Sequence, residues 1–127
     1  MEHGKTILIV EDNPINLKLL RDILNFQKIE VLEAINGKSA LESVKENYNK
    51  IDLILMDLQL PDINGLEVIQ KIKAIPESQN IPIIVVSAHA MESDIKKCKE
   101  AGCIDYITKP INVQEFINKI NLFFLSR

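Results

Sequence analysis

The 127-residue sequence predicts an α/β fold in which a five-stranded parallel sheet is covered by helices on both faces. Three observations carry that expectation. Short apolar runs and stretches of helical period alternate five times along the chain. Three of the runs, at residues 7–10, 51–56 and 81–86, are almost continuously apolar, as strands buried on both faces are. Each of those runs stops on a polar residue, respectively Glu11, Asp57 and Ser87.

Taken in order, Ile7-Leu8-Ile9-Val10 is the first strand, followed by Glu11 and Asp12. Asn13 is an N-cap, and Pro14 takes the first helical position, where its missing N–H costs nothing. Ile15, Leu19, Ile23 and Phe26 follow at spacings of three and four, with Leu20 and Leu24 beside them. They predict one wide apolar helix face. Residues 29–34 form a weaker strand, in which Ile29 and Val31 alternate with charged residues. Asn36-Gly37 turns the chain into a second helix, with Ala40, Leu41, Val44 and Tyr48 on one face.

The third strand, 51–57, is followed by a loop at 58–64, marked by Pro61 and Asn64-Gly65. A helix carrying Leu66, Ile69, Ile72 and Ile75 comes next, and Pro76 stops it. The fourth strand has Pro82 near its start, where a proline is tolerated. A helix from about 91 to 101 ends at Gly102. Ile104-Asp105-Tyr106-Ile107 alternates as the fifth strand and leads to Thr108-Lys109-Pro110. Asn112 caps the last helix, Glu115 stands close to a capping box, and Ile111 and Phe116 are spaced as a hydrophobic staple. Val113, Ile117, Ile120 and Phe124 form its apolar face.

Continuously apolar strands belong at the centre of a sheet and alternating ones at its edges. With right-handed crossovers, the strand order is 2-1-3-4-5. That is the flavodoxin-like (βα)5 doubly wound topology, whose switch point lies between strands 1 and 3. The chain is expected to be a single domain over residues 1–127, with its core at about 5–125.

Composition narrows the function. Net charge is −3, which argues against a nucleic-acid partner. No apolar run is long enough to span a bilayer, and Met1-Glu2-His3-Gly4-Lys5 does not read as a signal peptide. A cytoplasmic protein without membrane contact is expected. Cys98 and Cys103 lack metal-ligand spacing and are expected as buried, reduced thiols. Lys96, Lys97 and Lys99 read as a solvated helix face.

In the predicted topology the polar ends of the strands share one rim. Glu11, Asp12, Asp57, Ser87, Thr108 and Lys109 then surround the switch point. Clustered carboxylates raise each other's pKa unless a cation is present. Hard oxygen ligands without supporting His or Cys point to Mg²⁺. A carboxylate beside a divalent ion and an ammonium suits phosphoryl transfer onto Asp57, with the moving charge neutralised from two sides.

Over about residues 5–125 the chain resembles the receiver domains of response regulators in two-component signalling, the CheY-like family. Glu11-Asp12 resembles the family's acidic pair, and Asp57-Leu58-Gln59-Leu60-Pro61 with Gly65 its phosphoacceptor loop. Ser87-Ala88 is similar to its hydroxyl switch and Lys109-Pro110 to its lysine–proline pair; Gly102 and Tyr106 also fit, and Leu60 stands where many members have Met. The resemblance implies Mg²⁺ bound by Asp12, Asp57 and the Gln59 main-chain carbonyl, with Glu11 assisting. It implies phosphorylation of Asp57 by a histidine kinase or histidine phosphotransfer protein. Ser87 and Tyr106 would be the switch, and Gln59 and His89 would tune the phosphoryl lifetime. The stretch Glu11-Asp12-Asn13-Pro14-Ile15-Asn16 is similar to receivers of hybrid kinases and to stand-alone DivK-like receivers.

Such a protein promotes its own phosphorylation and dephosphorylation without being a turnover enzyme. Its output is expected to be contact with a downstream protein through helix 4, strand 5 and helix 5, by a monomer that binds no DNA. The alternative is a receiver cut from a hybrid kinase or larger regulator. A flavin module would want a Ser/Thr/Gly-rich phosphate loop after the first strand, where Glu11-Asp12-Asn13 repels phosphate, and aromatics to stack the ring. An aspartate-nucleophile phosphatase would want Asp at position 59, which is Gln59. A degenerate scaffold would have lost Asp57 or Lys109.

Overall fold

The computed structural model describes residues 4–88 and 91–125. Along the chain run β1 (Thr6–Val10), α1 (Pro14–Phe26), β2 (Glu30–Ala34), α2 (Gly37–Asn47), β3 (Leu53–Met56), α3 (Gly65–Ala74), β4 (Ile83–Ser87), α4 (Glu92–Glu100), β5 (Asp105–Thr108) and α5 (Val113–Leu125). The strands are all parallel, in the order β2-β1-β3-β4-β5. This is the topology expected from strand character.

The pleat sorts the core into two layers. On one face Leu8, Val10, Ile54, Met56, Ile83 and Val85 meet α2, α3 and α4. On the other Ile7, Ile9, Leu53, Leu55, Ile84 and Val86 meet α1 and α5. These side chains are at most 2% exposed. Each contributes about 1.5–3 kcal/mol by burial, so the central strands are rigid.

Helix α1 departs from the predicted face. Leu17, Leu20, Ile23 and Leu24 are buried, whereas Ile15 is 78% and Phe26 84% exposed. Apolar residues cover more than one side of this helix, and spacing alone does not say which stripe the sheet takes. Tyr48, the residue that closes α2, and Val113 on α5 are likewise exposed. The expected caps are in place: Asn13 Oδ1 accepts from the N–H groups of Ile15 and Asn16, and Asn112 Oδ1 from that of Glu115.

Helices α1 and α4 end in the same way. The Cys103 N–H donates to the Cys98 carbonyl and the Gly102 N–H to that of Lys99; Ile29 and Lys28 do the same with Leu24 and Asn25. Both are Schellman motifs, each closed by a contact between its flanking apolar residues. The residue in the left-handed region is Gly102 after α4, at φ 106°, but Lys28 after α1, at φ 63°. A side chain in that region costs about 1–2 kcal/mol, which the Leu24 and Ile29 burial offsets.

Cys98 and Cys103 are both buried and unoxidised, as expected. Burial pushes the Cys103 thiol up to about 12, and burial raises Cys98 as well. The reactive thiolate is therefore scarce at both cysteines in the neutral range. A thiol-specific chromogenic reagent at pH 8 is expected to leave both cysteines unmodified in the native protein and to titrate both in denaturant. Rapid stoichiometric labelling of the native state would show instead that the end of α4 opens readily.

Candidate functional site

The site grows out of the carboxyl ends of β1, β3, β4 and β5. Two bonds extend the sheet past its ladder: the Glu11 N–H donates to the Ala34 carbonyl at 3.0 Å and the Asp57 N–H to the Val10 carbonyl at 3.1 Å. Glu11 and Asp57 therefore leave rigid backbone. Glu11 is 1% and Asp57 5% exposed, while Asp12 is exposed. One oxygen from each of these carboxylates lies within 4.8 Å of the others.

Lys109 reaches into this cluster from beyond β5. Its Nζ lies 2.6 Å from Glu11 Oε1 and 3.2 Å from Asp57 Oδ2. The other Asp57 oxygen, Oδ1, accepts the Gln59 N–H at 3.1 Å, and Glu11 Oε2 accepts the Asn13 N–H, also at 3.1 Å. The Lys109 N–H donates to the Ser87 carbonyl at 2.9 Å, and the Lys109–Pro110 peptide is cis.

Burial drives the Glu11 carboxyl above its ordinary pKa; the bonds from Lys109 and Asn13 oppose this and the Asp57 charge adds to it. Burial pulls Lys109 down, but its bond to Glu11 and the charge of Asp57 outweigh that and hold it above its usual value. Three carboxylates against one ammonium leave two uncompensated negative charges. The donor set is all oxygen and carries a charge that one divalent cation balances, so the residues fit a hard ion of the Mg²⁺ kind.

Ser87 is fully buried at the end of β4, paired in register with Thr108. Beside it the Tyr106 ring is half-buried, with its hydroxyl enclosed and without a hydrogen bond of good geometry. Burial raises the phenol pKa, and the nearby Ser87 hydroxyl tempers the rise. Gln59 is exposed on the rim and Thr108 points outward. His89 lies outside the described residues.

The loop between β3 and α3 carries features that sequence spacing does not reveal. The Gly65 N–H donates to the Leu58 carbonyl at 2.9 Å, and Asn64 Oδ1 caps α3 through the Leu66 N–H. A Cβ on Gly65 would stand 2.3 Å from the Asp57 carbonyl oxygen and 2.7 Å from Leu58 Cα. Only glycine lets the chain fold back this closely on the residue it must present. Asp62, near the crest of the loop, is bound to the start of α2.

The family model for the response regulator receiver domain matches residues 7–121. The chain belongs to that family. It is a CheY-like receiver of two-component signalling, whose function is to accept a phosphoryl group. Receivers of this kind are signalling proteins rather than typical turnover enzymes. Among its relatives is the polar-differentiation response regulator DivK of Brucella anthropi, 43% identical over 119 residues, which are 94% of this chain and 95% of that one. A CheY-like receiver from Methanospirillum hungatei is 29% identical with a TM-score of 0.86, covering 98% of this chain and 96% of its own. The receiver domain of a Pseudomonas aeruginosa sensor histidine kinase, solved with a magnesium ion in its active-site cleft, is 32% identical with a TM-score of 0.78, covering 91% and 93%. The receiver described here has no helix, among its described residues, long and apolar enough to cross a membrane.

Replacing Gly65 with alanine sets a Cβ against the Asp57–Leu58 backbone, and neither neighbour is a flexible side-chain tip. Gly65→Ala is expected to destabilise the receiver by about 1–3 kcal/mol, read from urea unfolding. An unchanged midpoint would mean that the acceptor loop yields without cost.

Proposed function

We propose that Asp57 is the phosphoacceptor of this receiver and that a histidine kinase or histidine phosphotransfer protein is the donor. One observation supports this above the others. Asp57 is a buried carboxylate at a rigid strand end, with Lys109 on one oxygen and the Gln59 N–H on the other. In the transfer an Asp57 oxygen forms a bond to phosphorus as the P–N bond to the donor imidazole breaks. Water later attacks the acyl phosphate, releasing inorganic phosphate and restoring the carboxylate.

Glu11, Asp12 and Asp57, with the main-chain carbonyl of Gln59, are the groups that would hold Mg²⁺. When bound, the ion supplies positive charge against the phosphoryl oxygens. The magnesium in the Pseudomonas receiver supports this assignment. Lys109 sits within 3.2 Å of the acceptor and can swing one N–H from Glu11 to an incoming phosphoryl oxygen. Gln59, on the exposed rim, and His89 are the residues proposed to set how readily water reaches the acyl phosphate.

Ser87 and Tyr106 are the proposed switch. A phosphoryl group on Asp57 offers a new acceptor, and the Ser87 hydroxyl turns toward it. That turn alters the surroundings of the enclosed Tyr106 hydroxyl. Tyr106 lies on β5 and packs in the layer that includes Cys98 of α4, so the change reaches the face of α4, β5 and α5. The output is contact between that face and a downstream protein. The reading is of a monomeric, cytoplasmic adaptor or relay. Its net charge of −3 gives DNA little electrostatic attraction.

With Mg²⁺ and acetyl phosphate, intact-mass spectrometry is expected to show one added phosphoryl group on the wild type. Asp57→Asn is expected to gain none, and Lys109→Ala to gain it about 100-fold more slowly. Phosphorylation of Asp57→Asn at the wild-type rate would place the acceptor elsewhere.

Ser87→Ala is expected to take up phosphoryl normally but to lose the phosphorylation-dependent change in the amide spectrum of α4 and β5. A full spectral response in that variant would rule out Ser87 as the coupling group.

A further inference from the structure

We propose that Asp62 is a positioning residue for the acceptor site: its carboxylate ties the crest of the β3–α3 loop to the first turn of α2, and this tie holds Gln59 at the height its proposed metal-binding carbonyl requires. The inference rests on the Mg²⁺ reading given above and goes beyond it. Asp62 touches neither Asp57 nor the carboxylate cluster, so its action is through the loop.

The geometry is specific. Asp62 Oδ1 accepts the Gly37 N–H at 2.7 Å, and Oδ2 accepts the Lys38 N–H at 2.9 Å. The two oxygens thus take two successive N–H groups at the start of α2, groups that have no partner within their own helix. Oδ1 also accepts the Ile63 N–H at 2.9 Å, which fixes the carboxylate relative to its own loop. A carboxylate is favoured at this end of a helix, and charge-assisted bonds are the stronger kind. The bonds from Gly37 and Lys38 hold the Asp62 carboxyl below its usual pKa, so it is ionised throughout the neutral range.

The contact is also steric. A Cβ on Gly37 would stand 2.3 Å from Ile63 Cγ1 and 3.0 Å from Val68 Cγ2. The Ile63 side chain therefore lies directly on the first residue of α2. Gly37 is buried in the process.

Besides this tie and the packing of Leu60 and Ile63 against the core, the loop is anchored near its ends. At the start, the Gln59 N–H is bound to Asp57 Oδ1. At the finish, the Gly65 N–H is bound to the Leu58 carbonyl and Asn64 caps α3. Residues 60–63 lie between those anchors, and Asp62 joins them to a different element, 24 and 25 residues back in sequence. A shift of the crest turns the 59–60 peptide, whose carbonyl belongs to Gln59. The helix following β2 thereby becomes part of the site's support, although none of its side chains enters the cluster.

The test separates positioning from helix capping. Ser39 belongs to the α2 capping box: its Oγ accepts the Asn36 N–H at 3.2 Å and leaves the loop untouched. Mg²⁺ dissociation constants would be measured by calorimetry for wild type, Asp62→Ala, Asp62→Asn, Ser39→Ala and Asp12→Asn, together with thermal melts. Asp62→Ala is expected to bind Mg²⁺ about 10-fold more weakly. Asp62→Asn, which keeps one acceptor oxygen, should recover part of that loss. Ser39→Ala should melt lower yet bind Mg²⁺ as wild type does. Amide exchange at Gly37 and Lys38 should quicken in Asp62→Ala. If Asp62→Ala lowers the melting temperature but leaves Mg²⁺ affinity unchanged, Asp62 is only a cap and the proposal falls. If Asp12→Asn also binds Mg²⁺ undiminished, the metal reading itself fails, and the positioning role with it.

Discussion

The ammonium of Lys109 bridges two carboxylates that the chain supplies 98 and 52 residues earlier, at the ends of β1 and β3. Each of those carboxylates is nearly free of solvent. Leaving water costs a buried charge several kcal/mol, and mutual repulsion adds to it. One cation cannot compensate three carboxylates, so the rim is held together yet remains short of positive charge. A site in that condition suits a divalent ion. It also leaves Lys109 a choice of partners once a phosphoryl group arrives. The bond is thus the clasp of the structure and, in the function proposed above, holds the group that is freed for chemistry.

That arrangement survives because the sheet beneath it does not yield. The central strands bury their side chains on both faces, and the Glu11 and Asp57 backbones are zipped one residue further by ladder-like bonds. The stabilisation from many buried Ile, Leu and Val side chains exceeds the cost of a few charges set at one end. What the sheet cannot fix is the loop beyond it. There the structure uses close approaches, backbone to backbone at Gly65 and backbone to the Ile63 side chain at Gly37, together with the Asp62 carboxylate.

The strand order and the polar rim could be read from sequence because both follow from short-range pattern. Strands 1, 3 and 4 are uniformly apolar, strands 2 and 5 are mixed, and each central strand stops on a polar residue. Caps such as Asn13 and Asn112 are equally local. The rest depends on distance across the fold. The stripe of α1 that faces the sheet is set by packing across the fold, which leaves Ile15 and Phe26 exposed. The end of α1 carries no glycine signal, since Lys28 takes the left-handed position itself. Asp62 reads as one more polar loop residue, because its partners Gly37 and Lys38 belong to another helix. Lys109 was legible as a rim cation, but its shorter bond to Glu11 than to Asp57 was not.

Unequal anchoring of the helices decides which element can answer a change at the site. Helix α1 buries Leu17, Leu20, Ile23 and Leu24, whereas α4 buries Cys98 alone. At about 1.5–3 kcal/mol for each large apolar side chain, α1 is fastened several times more firmly. An enclosed hydroxyl lacking a good partner, such as that of Tyr106, carries a penalty of about 1–3 kcal/mol. A shift of Ser87 that relieves or deepens such a penalty is small against the anchoring of α1. It is comparable with that of α4. Tyr106 stands on β5, next to β4 and within the layer that includes Cys98, so the proposed switch acts beside α4, the helix with the fewest buried residues. In the switch proposed above, acceptance and response can share a rim: the carboxylates need strands that stay still, and the signal needs a helix that does not.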